Sequence, residues 1–234
     1  MKFYTPLLIF TFLINLVTPL NMGRKIFLRE TTSMIGSNFL NSVDPTNNDK
    51  PKSKSISEST NDNPLTITFY SEINAQSCVA LSQAIKTMDK QSKQLEIDYN
   101  HRMPIKLHIQ SFGGELLPSF YVCDLIKSIE TPVYIYIDGY VASAASLIAV
   151  CGNKRFMTPH SSILIHQLKS SSSGKFNEMK DEFKNLNFFM DSLKEIYLEN
   201  TRIKNEELDE LLKTDIWLPS SKCLELGLID EIIF

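Results

Sequence analysis

The most constraining feature of this sequence is an apolar run that leads directly into a turn of small residues. Residues 132–137 are almost continuously apolar, which predicts a strand buried on both faces. Residues 139–150 then pass from Gly139 through small residues into good helix formers, which predicts a tight turn followed by a helix. A strand, a turn and a helix in this order place a side chain at a helix N-terminus. There the unpaired amides and the helix dipole favour a developing negative charge.

Two serines in this segment are candidates for a nucleophile. Ser143 lies at the turn itself, whereas Ser146 lies one helical turn further along and is expected to pack in the core. A serine before a helix is also a common N-cap, so this segment alone leaves both interpretations of Ser143 open.

From about residue 65 the chain alternates between strand-like and helix-like segments, which predicts an α/β fold with repeated β-α-β crossovers. Apolar residues recur at steps of three and four from Phe176 to Tyr197. This spacing predicts a long amphipathic helix with a narrow seam suited to a partner helix. The predicted strands are 65–70, 105–109, 132–137, 163–165 and 228–229, the predicted helices are 78–88, 116–129, 176–197, 208–212 and 220–226, and 89–102 is predicted as a surface loop.

Composition limits the function further. A chain of 234 residues has room for one ordinary domain and additional segments, and a net charge of −3 argues against a general nucleic-acid role. The cysteines lack the paired spacing of a metal site or a disulfide framework, and their apolar contexts predict buried free thiols in a reducing compartment. They are Cys78, Cys123, Cys151 and Cys223.

The N-terminal part differs from the rest of the chain. Residues 1–21 are apolar after Lys2, which predicts a signal peptide or a membrane anchor. Residues 22–63 are polar and locally basic, which predicts a disordered leader or linker before a globular domain at 64–234. Together they have the plan of a two-part leader into a plastid. A membrane-anchored or mitochondrial location is the alternative.

Four short motifs occur in a fixed order along the predicted domain. They are Ser-Phe-Gly-Gly at 111–114, Gly-Tyr-Val-Ala-Ser at 139–143, Ile-Leu-Ile-His-Gln at 163–167 and Thr-Asp-Ile-Trp-Leu at 214–218. In this order they resemble the proteolytic subunits of the ATP-dependent Clp protease, a serine protease family with a crotonase-like fold. The resemblance implies that fold, with a long handle helix.

The resemblance also implies a catalytic set. Ser143 would be the nucleophile, His166 the general base and Asp215 the carboxylate that orients the imidazole. The backbone amides of Gly114 and Ala144 would form the oxyanion hole. The other histidines are poorer candidates for the base, because they lie in a polar loop, in mid-strand or in a turn: His101, His108 and His160.

Several positions depart from the family pattern. Phe112 replaces the usual proline before the glycine pair, and Tyr140 stands where a smaller or polar residue is common. Residues 168–171 replace the proline and glycines that begin the family's handle strand. The family docks its ATPase in apolar pockets, where Phe156 keeps its aromatic character but three positions are polar: Lys106, His108 and Ser128.

By resemblance the chain is therefore a serine endopeptidase that hydrolyses unfolded polypeptides to short peptides, without a metal or cofactor. Its partners would be a homo- or hetero-heptameric ring, stacked in pairs, and a Clp-family ATPase unfoldase, with no nucleic acid. Two alternatives remain open. The chain is a weakly active structural subunit that works with a paralogue, or it is a crotonase-type acyl-CoA enzyme.

Overall fold

A computed structural model describes residues 65–233, so the predicted leader segments 1–21 and 22–63 lie outside the described residues. The described chain forms seven strands and six helices in one α/β unit. In chain order they are β1 (Thr66–Phe69), α1 (Ala75–Tyr99), β2 (Ile105–Ser111), α2 (Leu116–Ser128), β3 (Val133–Ala142), α3 (Ala144–Val150), β4 (Lys154–Met157), β5 (Ser162–Leu164), α4 (Phe176–Asn200), α5 (Asn205–Leu212), β6 (Trp217–Pro219), α6 (Ser220–Leu226) and β7 (Glu231–Ile232).

The strands form one sheet in the order β1-β2-β3-β4-β7, and these neighbours are parallel. The helices α1 and α2 connect β1 to β2 and β2 to β3, which confirms the predicted crossovers. β3 is the branch point of the sheet. Its first half pairs with β4, and its last residues pair with β5, which in turn pairs antiparallel with β6. The sheet therefore divides where β3 leads into Ser143.

One face of the sheet carries the hydrophobic core. Leu107 and Ile135 are fully buried there and belong to the same cluster as residues of α1, α2 and α3. The expectation that residues 132–137 are buried on both faces is wrong. Tyr134 and Tyr136 alternate with the buried residues of β3 and are half-exposed, because they point to the opposite face of the sheet. We call this opposite surface, formed by His108, Tyr134, Tyr136 and Phe156, the aromatic face.

The predicted surface loop at 89–102 is wrong over most of its length. Helix α1 begins after a capping box formed by Asn74 and Ser77 and continues to Tyr99. The second half of the helix is polar, so it lacks the apolar periodicity that marks the first half. It contains several good helix formers, such as Lys, Gln and Glu, and local ion pairing, such as Asp89 to Lys93 at 3.0 Å. Propensity and charge pairing thus extend this helix beyond its apolar stripe.

Helix α4 confirms the long amphipathic helix predicted from Phe176 to Tyr197. Only the C-terminal half of its seam is buried in the described chain, where Leu193 is 5% and Tyr197 1% exposed. The first half projects apolar side chains into solvent, with Phe176 76% and Phe183 67% exposed. Among residues 65–233, neither this helix nor any other is long and apolar enough to cross a membrane. Residues 166–175, where the handle strand was expected, form no strand within the described chain.

The C-terminal segment closes the sheet beside β4. Helix α6 ends at Leu226, as predicted, and Gly227 caps it in the left-handed conformation, but the last strand is β7 rather than 228–229. Leu228 and Ile229 are fully buried and serve as core residues instead. Arg155 donates from its Nη2 to Asp230 Oδ1 at 2.7 Å and fastens this segment to β4. All four cysteines are buried free thiols, as predicted.

Candidate active site

Ser143 occupies a strained turn between β3 and α3. Its φ of 55° and ψ of −130° are unusual for a residue with a β-carbon. The turn is fixed from one side by the Ser143 amide, which donates to Leu164 O of β5 at 3.0 Å. The side chain is half-exposed and makes no capping hydrogen bond to α3. The geometry therefore argues against an ordinary N-cap and presents the hydroxyl to solvent.

Ser146 packs in the core, as expected. Its side chain is fully buried, and its Oγ donates to Ser143 O at 2.6 Å. The Tyr197 hydroxyl lies 2.6 Å from the same Oγ, and burial raises the pKa of this tyrosine far above its ordinary value. Because the Ser146 hydroxyl gives its hydrogen to Ser143 O, the Tyr197 hydroxyl donates to Ser146 Oγ. This buried pair supports the turn from below.

The glycine pair after β2 lies directly against the serine turn. Gly113 and Gly114 have φ values of 91° and 147°, which disfavour residues with side chains. A β-carbon on Gly113 would lie 2.7 Å from the Ser143 β-carbon, and one on Gly114 would collide with the Ile73 carbonyl. Glycine is thus required at both positions by the close approach of neighbouring atoms.

Two backbone amides beside the serine turn take no part in the hydrogen bonds of the adjacent bridge and helix. Gly114 and Ile73 form an isolated β-bridge. The Ile73 carbonyl accepts a hydrogen bond from Glu115 N at 2.8 Å, and the Ile73 amide donates to Gly113 O at 2.8 Å. Because Gly113 and Glu115 make both of these hydrogen bonds with Ile73, the Gly114 amide points away from Ile73. Ala144 is the first residue of α3, so its amide has no partner within that helix. Gly114 and Ala144 are the residues predicted to supply an oxyanion hole.

The pairing of β5 with β3 places His166 near Ser143. Ala142 of β3 pairs with Leu164 of β5, so the two parallel strands end side by side, one residue before Ser143 and two residues before His166. The imidazole is partly buried, with 25% of its side chain exposed. The structure therefore places the predicted base at the same end of the sheet as the predicted nucleophile.

Asp215 is brought near the imidazole but not into contact. Its Oδ1 lies 3.9 Å from His166 Nδ1, which is longer than a hydrogen bond, and 85% of its side chain is exposed. It follows α5 and precedes β6, which pairs with β5 through Leu164 and Trp217. The pairing of β6 with β5 thus places Asp215 on the Nδ1 side of His166, but the two side chains are too far apart for a hydrogen bond.

A pocket of about 220 Å³ joins these groups. Ser143, His166, Gly114 and Ala144 all line it, whereas Asp215 does not. Apolar side chains that none of the sequence motifs marks as site residues form much of the remaining wall. The other lining residues are Glu115, Leu116, Gln167, Leu168, Lys169, Leu193 and Tyr197. In the sequence, Leu193 and Tyr197 are marked only by their position at the C-terminal end of the apolar seam of α4, which does not by itself indicate a pocket.

A second His–Asp pair lies on the aromatic face. His108 Nδ1 is 2.8 Å from Asp138 Oδ2, and the Tyr70 hydroxyl donates to the same oxygen at 2.5 Å. That hydrogen bond raises the pKa of Tyr70 to about 12. The His108 ring also stacks on Tyr136 with centroids 4.7 Å apart. Neither His108 nor Asp138 lines the Ser143 pocket. No sequence pattern indicates this pair, because it depends on the register of β2 and β3.

The fold and this pocket define an α/β protein of the crotonase-like type, in which a serine and two backbone amides meet beyond the ends of parallel strands. Comparison with known families is more specific. Residues 61–234 match the model of the Clp protease family, so the chain belongs to that family. Its peptidases are serine-type.

Individual relatives agree with this assignment. The chain is 33% identical over 134 residues to the ATP-dependent Clp protease proteolytic subunit 1 of Protochlamydia amoebophila, a match covering 56% of this chain and 65% of that protein. It is 30% identical over 135 residues to subunit 1 of Chlamydia muridarum, with 56% and 70% covered. The first match thus spans slightly less than two thirds of the relative. Neither relative favours acyl-CoA chemistry.

A solved structure gives the same result. A point mutant of ClpP1 from Listeria monocytogenes superposes with a TM-score of 0.62 and 25% sequence identity. The superposition covers 72% of this chain and 91% of that one. The predicted crotonase-like α/β fold is therefore confirmed.

Proposed function

We propose that the chain is the proteolytic subunit of an ATP-dependent Clp protease and acts as a serine endopeptidase on unfolded polypeptides. The observation that carries this proposal is the Ser143 turn, whose strained backbone opens into one pocket with His166 and Gly114. Strain of this kind persists where the surrounding structure enforces it, often at active sites. Family membership supplies the reaction class, and the pocket supplies groups for it.

The proposed chemistry uses side chains and backbone amides of this chain together with water. His166 accepts the Ser143 proton as Oγ attacks the scissile carbonyl carbon, and the Gly114 and Ala144 amides donate to the resulting oxyanion. The imidazolium then gives this proton to the leaving amine as the peptide C–N bond breaks. Water, deprotonated by His166, then attacks the acyl ester. As the ester C–O bond breaks, His166 returns this proton to Ser143 Oγ and the new carboxyl end is released.

Asp215 would orient His166 by accepting a hydrogen bond from Nδ1–H. The observed separation of 3.9 Å exceeds an ordinary N–H···O distance by about 1 Å. Because the loop that carries Asp215 is exposed, we propose that neighbouring subunits bring it closer when the ring assembles.

The pocket beside Ser143 supports a preference for apolar side chains at the cleaved residue. Leu116, Leu168 and Leu193 contribute apolar walls, and the volume of about 220 Å³ suits a single side chain rather than a large ligand. Lys169 and Glu115 add charged groups of opposite sign. We expect peptides with a leucine- or methionine-sized residue before the scissile bond to be cleaved fastest.

Partners and location remain proposals. Apolar residues exposed on α4, such as Phe176 and Phe183, support assembly into stacked heptameric rings, of one subunit type or mixed. A Clp-family ATPase would deliver unfolded chains to the ring. We propose a plastid location from the predicted two-part leader alone.

The 3.9 Å gap between His166 and Asp215 also favours a second candidate, a weakly active subunit that depends on a paralogue. Labelling with a fluorophosphonate separates the two functions. The purified protein should be modified at Ser143 and should hydrolyse fluorogenic peptides, whereas Ser143→Ala should do neither. Modification at another serine, or full activity of Ser143→Ala, would exclude the proposed enzyme. Labelling that requires an added paralogue would favour the second candidate.

A further inference from the structure

Three aromatic rings form a cluster in segments that adjoin pocket residues, although none of the three lines the pocket. The Phe112 and Tyr140 rings lie 4.2 Å apart between centroids at an angle of 31°. The Trp217 ring meets Phe112 at 6.4 Å and 78° and Tyr140 at 6.3 Å and 90°. Distances and angles of this kind are favourable for aromatic pairs. We call these three residues the aromatic clasp.

Each member of the clasp belongs to a segment that carries a proposed site residue. Phe112 lies two residues before Gly114, and Tyr140 lies three residues before Ser143. Trp217 lies two residues after Asp215 and begins β6. The clasp therefore ties together three chain segments that are far apart in sequence. Each ring lies only two or three residues from the site residue of its own segment.

Asp215 has little else to hold it. Residues 213–217 are all exposed, and the carboxylate has no polar partner nearer than the 3.9 Å imidazole within residues 65–233. On its N-terminal side the loop is held by Thr214, whose amide donates to Leu211 O at 3.2 Å. On its C-terminal side the first ordered contacts are the pairing of Trp217 with Leu164 and the packing of its ring in the clasp. The position of the Trp217 ring thus fixes one end of the loop that carries Asp215.

Phe112 and Tyr140 are both positions at which this chain departs from its family pattern. Phe112 replaces a proline, Tyr140 replaces a smaller or polar residue, and both rings contact Trp217. Phe112 is 68% exposed, so burial of its own ring does not account for an aromatic residue at this position. The contact of its ring with Trp217 does.

We propose that Trp217 is a positioning residue that sets the approach of Asp215 to His166, with Phe112 and Tyr140 as the surface against which it is held. This role rests on the proposed function, because it acts through the Asp215–His166 pair. Trp217 touches no reacting atom. Its effect should appear in kcat and should require the Asp215 carboxylate.

The test is a double-mutant cycle in the full-length protein, with hydrolysis of a fluorogenic peptide and the rate of fluorophosphonate labelling as readouts. We expect Trp217→Ala to lower kcat by about 10- to 100-fold with little change in KM, since misplacement by about 1 Å at a catalytic group has effects of this size. Trp217→Phe should restore most of the activity. In an Asp215→Asn background, Trp217→Ala should cause no further loss.

Tyr134→Ala is the matched control. Tyr134 is an aromatic residue on the same sheet whose ring packs on Phe156 at 6.1 Å, away from the clasp. It should leave kcat and KM for the peptide unchanged, and light scattering should show the same assembly size for every variant. If Trp217→Ala does not fold, Phe112→Leu carries the same cycle, because truncation of this exposed ring costs little stability.

The outcomes are distinct. Equal losses from Trp217→Ala with and without the Asp215 carboxylate, or a rise in KM alone, would show that Trp217 contacts substrate or acts elsewhere, and the positioning role would be overturned while the proposed function stands. If Ser143→Ala keeps wild-type activity, the proposed function fails and the positioning role fails with it.

Discussion

Gly113 packs against Ser143 so closely that a β-carbon at position 113 would lie 2.7 Å from the serine β-carbon and 2.6 Å from the Ala142 carbonyl oxygen. The shape of the turn at Ser143 is therefore set in part by a residue of the loop that follows β2. This contact joins the proposed oxyanion donors to the proposed nucleophile. It also allows a direct test of how strictly the turn must be held.

Gly113→Ala should reduce peptide hydrolysis by about 10²- to 10³-fold, the size of effect seen when one oxyanion donor is lost. The added methyl group displaces the Ser143 turn, because its neighbours there are backbone and a β-carbon that cannot rotate away. Gly139→Ala is the matched control, since it also has a positive φ but its β-carbon would meet only the Gln110 side chain at 3.7 Å. It should lower stability by about 1–2 kcal/mol through strain and keep its activity. Steady-state kinetics and thermal melts of both variants would check this, and equal activities would contradict it.

Ser146→Ala should destabilise the fold without removing the nucleophile. The substitution leaves the buried Tyr197 hydroxyl without its 2.6 Å partner, at a cost of about 1–3 kcal/mol. Urea unfolding monitored by fluorescence would measure the loss, and Tyr197→Phe made together with it should recover part of the stability. Fluorophosphonate should still label Ser143. Loss of labelling in a folded Ser146→Ala protein would mean that this buried pair shapes the turn more strongly than we infer.

Much of this site could be predicted from sequence because it depends on local patterns. The turn at Ser143, the glycines at 113–114 and the strand before His166 each have a short signature. Parallel pairing of consecutive crossovers then brings their ends together. The class of fold followed from the same alternation of segments.

The parts that were missed depend on tertiary contacts or on polar helices. The end of α1 at Tyr99 has no apolar period to mark it, and the His108–Asp138 pair joins residues 30 positions apart through strand register. The exposure of Tyr134 and Tyr136 was missed because an apolar run shows which residues are hydrophobic but does not show how many helices cover the sheet. The separation of His166 from Asp215 likewise reflects loop placement, which no motif encodes.

Acid should weaken the attachment of the C-terminal segment through Asp230. Burial alone would raise the pKa of this carboxyl, but hydrogen bonds and charge from Arg155 outweigh it and hold the pKa below its usual value. The pair therefore stabilises the fold fully above about pH 4, the unfolded pKa of an aspartate, and this contribution is lost as the pH falls through the lower folded pKa. Because the Asp230 side chain is 39% exposed and therefore partly screened, Asp230→Asn should lower stability at pH 7 by only about 1 kcal/mol and flatten the pH dependence below pH 4. Denaturant melts at pH 7 and pH 3 would show this. An unchanged pH profile would assign the acid sensitivity to other carboxylates.

Phe183→Glu should abolish assembly and leave the subunit folded. The side chain is 67% exposed in the isolated chain, so a charge there costs the fold little, whereas a buried contact between subunits would have to desolvate it. Lys184→Ala, at the neighbouring exposed position, should keep the wild-type assembly. Light scattering would give the mass of each variant, and circular dichroism would confirm the fold. An unchanged ring for Phe183→Glu would show that this half of the α4 seam lies outside the subunit contacts.

A homomeric ring of this subunit should dock a Clp ATPase weakly, because the surface that the family uses for docking carries polar side chains here. Phe156 stacks on Tyr136 at 4.8 Å and preserves part of an aromatic surface. His108 is held instead by Asp138 at 2.8 Å, and Lys106 is half-exposed beside it. Each aromatic side chain absent from such a pocket removes about 1.5–3 kcal/mol of burial.

ATP-dependent degradation of an unfolded protein by the purified ring and its cognate ATPase measures this docking. The rate should be low for the wild-type ring and should rise when a second subunit type is added. Lys106→Tyr combined with His108→Tyr should raise it in the homomeric ring, since both substitutions restore apolar area without touching the Ser143 pocket. Peptide hydrolysis, which needs no ATPase, serves as the control and should be equal in both rings. Fast degradation by the wild-type homomeric ring would refute weak docking, because it would show that Phe156 and Tyr136 alone provide enough apolar surface.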